Sequence, residues 1–107
     1  MSEPKTAVIV GAGSIGGWIA TLLHDGGMQV KLLARGETLA AVRRDGLIYQ
    51  AHGQSRVFAL EASDDPAALG VADYVVVSLK GQALPALAPR LDPLFGPDTA
   101  LVSMMNG

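Results

Sequence analysis

Cysteine, a strong net charge and long apolar runs are all missing from this sequence, and each absence excludes a class of function. The 107-residue chain has no cysteine, which removes disulfide scaffolds, thiolate metal sites and cysteine nucleophiles. Its formal net charge is −2, so it has no broad basic field that would collect nucleic acid or anionic lipid. No run reaches the roughly 18 apolar residues of a membrane helix. We expect a cytoplasmic protein with neither nucleic-acid nor membrane partners.

The chain does have short apolar runs, typical of strands, that alternate with segments in which apolar residues recur at the spacing of a helix. Half of the residues are hydrophobic, enough for one buried core, and the length suits a single domain. In the first helical stretch the apolar residues are Ile15, Trp18, Ile19, Leu22 and Leu23, a stripe typical of a helix packed on a sheet. In chain order we predict a strand at Thr6 to Val10, this helix, a strand at Gln29 to Ala34, a helix at Glu37 to Asp45, a hairpin of Leu47 to Tyr49 and Arg56 to Leu60, a short helix at Pro66 to Gly70, a strand at Asp73 to Leu79, a kinked helix at Gln82 to Phe95 and a strand at Ala100 to Met105.

Strands that alternate with helices are connected by right-handed crossovers, which produce a parallel sheet covered on both faces. The sequence therefore predicts a doubly wound α/β domain of the Rossmann type.

A glycine-rich turn stands between the first strand and the first helix. Its residues are Gly11, Ala12, Gly13, Ser14, Ile15 and Gly16. Glycines mark any tight strand-to-helix turn, but a second strand within about 30 residues is the context of a dinucleotide-binding fingerprint. Gly11 permits the turn, Gly13 lets the backbone approach a pyrophosphate, and Gly16 allows close packing of helix on strand. The pyrophosphate would meet free N–H groups where the helix begins.

Cofactor choice is usually decided at the end of the second strand, where a carboxylate would bind the ribose 2′-hydroxyl of NAD. Here that strand is followed by Arg35, whose planar, permanently charged guanidinium suits the 2′-phosphate of NADP. The alternative for Arg35 is a solvated loop arginine, and the nearby Glu37 leaves NAD open.

Two polar residues follow later strands, at the edge of the sheet where open α/β folds bind ligands. Lys80 follows Leu79 and suits a ribose hydroxyl, a phosphate or a substrate carboxylate. Asn106 follows Met105 and has a donor and an acceptor with which to orient the nicotinamide or a substrate. The alternatives are a surface lysine and an Asn-Gly turn.

The two histidines, His24 and His52, are isolated, with no spaced partner for a metal site or a nucleophile, and Ser78 is read as a strand residue with a local hydrogen bond. We therefore assign no metal site and no catalytic residue to residues 1–107.

These motifs together resemble the amino-terminal domain of the ketopantoate reductase (2-dehydropantoate 2-reductase) family. The matching segments are the glycine turn with Gly17, Leu33-Ala34-Arg35, the segment from Asp73 to Lys80 that ends in Val-Ser-Leu-Lys, and Asn106-Gly107. The resemblance implies NADPH as hydride donor, Lys80 beside the cofactor, and Asn106 in contact with both cofactor and keto-acid substrate. One departure is Ala83, where the family often has a polar residue, with Gln82 one position earlier.

The resemblance also implies that residues 1–107 are the NADP-binding Rossmann domain of a longer enzyme, with a sheet truncated before its last strands. The family's helical carboxy-terminal domain, which holds a catalytic lysine and a substrate-binding glutamate, would be absent, so this chain alone would be inactive. The implied activity is NADPH-dependent reduction of a 2-keto acid, 2-dehydropantoate, in pantothenate biosynthesis.

Two alternatives are the cofactor domain of another hydroxyacid or sugar-acid dehydrogenase and a non-catalytic, redox-sensing nucleotide-binding module. Association of this chain into a homo-oligomer is a further possibility that the sequence leaves open.

Overall fold

The computed structural model describes residues 5–11, 14–51, 53–77 and 88–103, which form alternating strands and helices. Most elements match the expected ones to within two residues at each end. Their bounds are β1 Thr6–Val10, α1 Ser14–Asp25, β2 Gln29–Leu33, α2 Gly36–Asp45, β3 Leu47–Ala51, β4 Gln54–Phe58, β5 Glu61–Ser63, α3 Pro66–Leu69, β6 Tyr74–Val77, a 3-10 helix Ala88–Leu94, and β7 Ala100–Ser103.

Across these ranges the main sheet has five strands in the order β5-β2-β1-β6-β7, and every neighbouring pair is parallel. The chain runs outward from β1 through β2 to β5 and then returns past β1 to β6, so the strand order reverses between β1 and β6. Val10 pairs with both Leu33 and Val77, which places the ends of these three strands at one edge. This is the doubly wound topology that the sequence predicted, with its ligand-binding crevice expected at that edge.

Two apolar cores lie on opposite faces of the sheet, as alternation along parallel strands requires. On one face, Ile9 and Val76 pack in a core with α2, which contributes Leu39 and Val42. The other core contains the buried residues Val8, Val10, Val75, Val77, Leu69 of α3, and Leu91 and Leu94 of the 3-10 helix. Helical elements therefore cover both faces, which confirms the expected layering.

The expected apolar stripe of α1 is only half buried, and this part of the prediction was wrong. Trp18 and Leu22 are 47% and 51% exposed, whereas Ile19 and Ala20 are 8% and 1% exposed. A small residue such as Ala20 lets the helix approach the sheet more closely than a tryptophan would. The spacing of apolar residues predicted a buried face that included Trp18 and Leu22. The face that is buried in the structure includes Ile19 and the small residue Ala20 instead.

The hairpin is confirmed, while the segment after it differs from the prediction. β3 and β4 are antiparallel around a turn in which Gly53 has φ 74°. The second strand ends at Phe58 rather than continuing to Leu60, and β5 then joins the main sheet parallel to β2. β5 was not predicted, because three residues with one exposed charge leave no apolar run to detect.

The segment between β6 and β7 was expected to be a kinked helix. Its described part, Ala88–Leu94, is a 3-10 helix containing Pro93, since proline cannot donate the hydrogen bond that a straight α-helix needs there. Residues 82–87 of the expected helix lie outside the described residues. No helix in the part of the chain that the structure describes is long and apolar enough to cross a membrane.

Candidate dinucleotide-binding site

The candidate site begins where β1 ends. Gly11 follows Val10 with φ 98°, a conformation that L side chains rarely adopt, and its N–H donates to the carbonyl of Leu33 at 3.2 Å. The chain thus turns off the sheet directly beside the end of β2, which agrees with the role predicted for Gly11.

Helix α1 begins at Ser14, immediately after the turn. Ser14, Ile15 and Gly16 form its first turn, where backbone N–H groups have no partner within the helix and the helix dipole favours an anion. Ala12 and Gly13 lie outside the described residues, so their predicted approach to a pyrophosphate stays a prediction, as does the close packing at Gly16. The helix start nevertheless lies at the edge where β1 ends, as a pyrophosphate site requires.

Arg35 stands two residues beyond β2, at the same edge of the sheet. Its backbone is extended, with φ −147° and ψ 167°, and it immediately precedes α2. The side chain is exposed, makes no capping hydrogen bond, and has no ion pair with any residue that the structure describes. A guanidinium in this state has all of its donors available for a phosphate.

The end of β5 is a part of this edge that sequence reasoning missed. Leu33 pairs with Ser63, and the Ala34 N–H donates to the Ser63 carbonyl at 3.0 Å. The Ser63 hydroxyl accepts from the Asp65 N–H at 3.0 Å, so this loop is tied to the cap of α3. Asp64, which follows Ser63, is exposed beside the chain that leads into Arg35. The acidic Asp64-Asp65-Pro66 segment was read only as a helix start, and the register also places its beginning next to the end of β2.

Lys80 and Asn106, the two other predicted site residues, lie outside the described residues, and so does Ser78. Strand β6, which precedes Lys80 in the chain, ends at Val77 beside Val10, and β7 pairs with β6 up to Ser103. Both strands that lead to these residues therefore run toward the edge where Gly11 and Arg35 stand. The roles of Lys80 and Asn106 stay predictions.

The shortest ion pair between described residues lies away from this edge. The two terminal guanidinium nitrogens of Arg56, Nη1 and Nη2, donate to the Asp25 carboxylate at 2.8 Å, at the end of α1 that leads into the start of β2. These hydrogen bonds hold the pKa of Asp25 below its usual range and raise the pKa of Arg56. The pair fastens the hairpin to α1 and leaves Arg35 uninvolved.

The structure also locates one of the two histidines. His24 is exposed and its ring meets that of Phe58 edge-on, with centroids 4.8 Å apart, which agrees with the surface role expected for it. His52 lies outside the described residues. Within the described ranges no group of three His, Cys, Asp or Glu side chains comes together in a way that would hold a metal ion.

Comparison with known families identifies the family to which this sequence belongs. Residues 7–107 match the sequence model described as "Ketopantoate reductase PanE/ApbA". The chain belongs to the ketopantoate reductase family. Members of this family are oxidoreductases that use a nicotinamide cofactor.

Individual relatives agree with the family and also show its breadth. A 2-dehydropantoate 2-reductase of Mesorhizobium japonicum is 36% identical over 100 residues, which are 92% of this chain and 31% of the relative. A glycerol-3-phosphate dehydrogenase [NAD(P)+] of Streptomyces avermitilis is also 36% identical, over 100% of this chain and 33% of the relative. A solved protein from Ralstonia solanacearum, assigned as a ketopantoate reductase, superposes with a TM-score of 0.92 at 39% identity, over 98% of this chain and 33% of its own. The chain therefore spans about a third of the length of these relatives.

Proposed function

We propose that this chain is the NADP(H)-binding portion of an enzyme that reduces a 2-keto acid, 2-dehydropantoate, to the corresponding hydroxy acid in cytoplasmic pantothenate biosynthesis. The observation that carries the cofactor part is Arg35, exposed and without a charged partner among the described residues at the end of β2. The substrate part rests on family membership and on the 36% identity to a 2-dehydropantoate 2-reductase.

Each part of the site has a distinct task in this proposal. The glycine turn and the first turn of α1 bind the pyrophosphate, and Arg35 binds the 2′-phosphate by paired, charge-assisted hydrogen bonds. Lys80 lies along the cofactor, and Asn106 orients the nicotinamide and the keto acid. The bound cofactor supplies the hydride.

Ketone reduction also needs a proton for the developing alkoxide, and we assign no general acid to this chain. We propose that the acid belongs to the helical carboxy-terminal domain of the longer relatives, so this chain binds cofactor without turnover. A 2-keto acid added to the chain with NADPH should therefore leave the nicotinamide absorbance unchanged.

A second candidate is the cofactor portion of a dehydrogenase acting on another hydroxy compound. It is favoured by the 36% identity to a glycerol-3-phosphate dehydrogenase over the full length of this chain. Substrate identity would then be decided by residues beyond the nucleotide-binding part, which makes a cofactor measurement the first test of both candidates.

The test is calorimetric titration of the chain with NADPH and, separately, with NADH. The wild type should bind NADPH more tightly, and Arg35→Ala should weaken NADPH by at least about tenfold, the usual effect of losing hydrogen bonds to a charged group. NADH affinity should change little, because NADH has no 2′-phosphate. Arg44→Ala removes the same charge from the opposite end of α2, where Arg44 is exposed beside Asp45, and should leave both affinities unchanged.

Equal loss of NADPH affinity in Arg35→Ala and Arg44→Ala would show a general charge effect and remove Arg35 as the selector. Absence of binding by either cofactor to the folded wild-type chain would contradict the proposed function.

A further inference from the structure

We propose that Glu37 is a specificity-determining residue that limits the preference of this chain for NADP(H) over NAD(H). The inference rests on the proposed function and adds a second residue to its cofactor selection. Glu37 is the acidic residue in the first turn of α2, two positions after Arg35, and both side chains are exposed.

The start of α2 is built so that Glu37 and Arg35 share one end of the helix. Arg35 is extended, Gly36 turns the chain with φ 64°, and a Cβ on Gly36 would meet no heavy atom of the described residues within 4 Å. Side chains in a helix generally lean toward its amino terminus, which is the end of α2 at which Arg35 stands. A phosphate bound by Arg35 would therefore have Glu37 as a neighbour.

Glu37 is not neutralised by Arg35. The ion pairs between described residues join Asp25 to Arg56 and His24, Lys31 to Glu61, and Arg44 to Asp45. The carboxylate of Glu37 forms none of them, although an acidic group in the first turn is favoured by the helix dipole. No described cation therefore offsets the carboxylate of Glu37 at the end of α2 where Arg35 stands.

The two cofactors respond to this charge in opposite ways. A phosphate monoester brings about 1.5 to 2 negative charges at neutral pH, so the 2′-phosphate of NADP(H) is repelled by Glu37. The ribose 2′-hydroxyl of NAD(H) has no charge and can donate a hydrogen bond to a carboxylate. Arg35 and Glu37 thus act against each other, and the chain should accept both cofactors with a modest preference for NADP(H).

Asp64 is a second carboxylate at this edge, since the preceding residue, Ser63, pairs with Leu33. It belongs to a different element: its backbone carbonyl accepts from Arg90 at 3.3 Å, and the following Asp65 caps α3. Only Glu37 shares the first turn of α2 with the residue that would bind the phosphate. The variant Asp64→Asn therefore tests the alternative that Asp64, rather than Glu37, limits the preference for NADP(H).

The experiment measures the ratio of the dissociation constants for NADH and NADPH in the folded chain. Glu37→Gln should raise this ratio about threefold at low ionic strength, and Glu37→Lys should raise it further. The increase should shrink as salt is added, because both charges are exposed. Asp92→Asn removes one exposed negative charge from the 3-10 helix, outside the first turn of α2, and should leave the ratio unchanged.

An unchanged ratio in both Glu37 variants, with cofactor binding intact, would overturn the role of Glu37 and leave the proposed function standing. A larger increase in Asp64→Asn than in Glu37→Gln would also overturn it, because selection would then lie at the end of β5. Failure of the wild-type chain to bind either cofactor would overturn both proposals together.

Discussion

Gly46 ends α2 in a conformation that no side chain fits. It has φ 83° and ψ 174°, a region used almost exclusively by glycine. A Cβ at this position would lie 2.7 Å from the carbonyl oxygen of Phe58 and 3.1 Å from Cγ1 of Val57. The hairpin therefore packs directly against the end of α2, and this close contact is possible because glycine has no Cβ.

We expect Gly46→Ala to lower the free energy of unfolding by about 3 kcal/mol or more, combining backbone strain with displacement of a strand. Gly53→Ala is the matched control, because Gly53 also has positive φ, at 74°, but no heavy atom of the described residues lies within 4 Å of its Cβ position. The control should cost about 1 kcal/mol from strain alone. Urea denaturation of both variants measures the difference, and equal costs would show that the contact with Phe58 is unimportant.

The places of single residues were predictable from the sequence where a backbone feature, such as a tight turn or the end of a strand, determines them. Gly11 was identified because a tight turn after a strand needs positive φ, and it has φ 98°. Arg35 was placed after the second strand, where the structure has it with an exposed side chain, and its cofactor role stays a prediction. The place of Asp64 at this edge was not predicted, since it depends on β5, an element with no apolar pattern.

At the scale of elements, the hairpin is fastened to α1 by a small cluster around Arg56. The guanidinium donates to both oxygens of Asp25 at 2.8 Å and lies 4.8 Å from the ring centroid of Phe58, whose edge-on partner is His24. Asp25 stands at the carboxyl end of α1, where the helix dipole disfavours a negative charge. Arg56 compensates for that placement and joins two elements that are not in the same sheet.

The lowered pKa of Asp25 predicts how this link depends on pH. A carboxyl group whose pKa is lower in the folded chain than its ordinary value of 3.8 contributes stability above that value and loses it as pH falls through the folded pKa. We therefore expect Asp25→Asn to be less stable than the wild type at about pH 6, and this gap to narrow by about pH 2. Denaturation midpoints at both pH values provide the measurement.

Asp92→Asn serves as the control for this prediction, because Asp92 is exposed and its carboxylate forms no ion pair with a described residue. Its difference from the wild type should stay the same at both pH values. A stability gap for Asp25→Asn that persists at the lower pH would mean that packing, rather than the charge, holds the hairpin.

Helices and strands were predictable from the sequence where a pattern of neighbouring residues identifies them, and less so where they depend on contacts with distant segments. β6 was evident because Val75, Val76 and Val77 are buried on both faces of the sheet. The inward face of α1 was assigned wrongly because close approach to the sheet, through Ala20, outweighed the burial of Trp18. β5 was missed because its place depends on pairing with β2, a contact between distant segments that no local pattern encodes.

At the scale of the whole described sheet, the two edge strands, β5 and β7, differ in how readily each could pair with a strand of another chain. β5 is three residues long and carries the exposed Glu61, features that protect an edge from pairing with another chain. β7 has no charged residue, and its Leu101 and Val102, which face opposite sides of the strand, are 54% and 37% exposed. An apolar edge with unpaired backbone groups favours pairing with a second copy. Self-association of this chain should therefore proceed through β7.

We expect the wild-type chain to associate as its concentration rises and Leu101→Lys to reduce that association, because a lysine on an edge strand must be desolvated when another strand pairs with it. Val71→Lys is the matched control: Val71 is more exposed, at 62%, but lies in the loop before β6 rather than on an edge. Sedimentation velocity over a concentration series distinguishes the two variants. If Val71→Lys reduced association as much as Leu101→Lys, exposed apolar area in general would be responsible, whereas an effect confined to Leu101→Lys would assign it to the edge of the sheet.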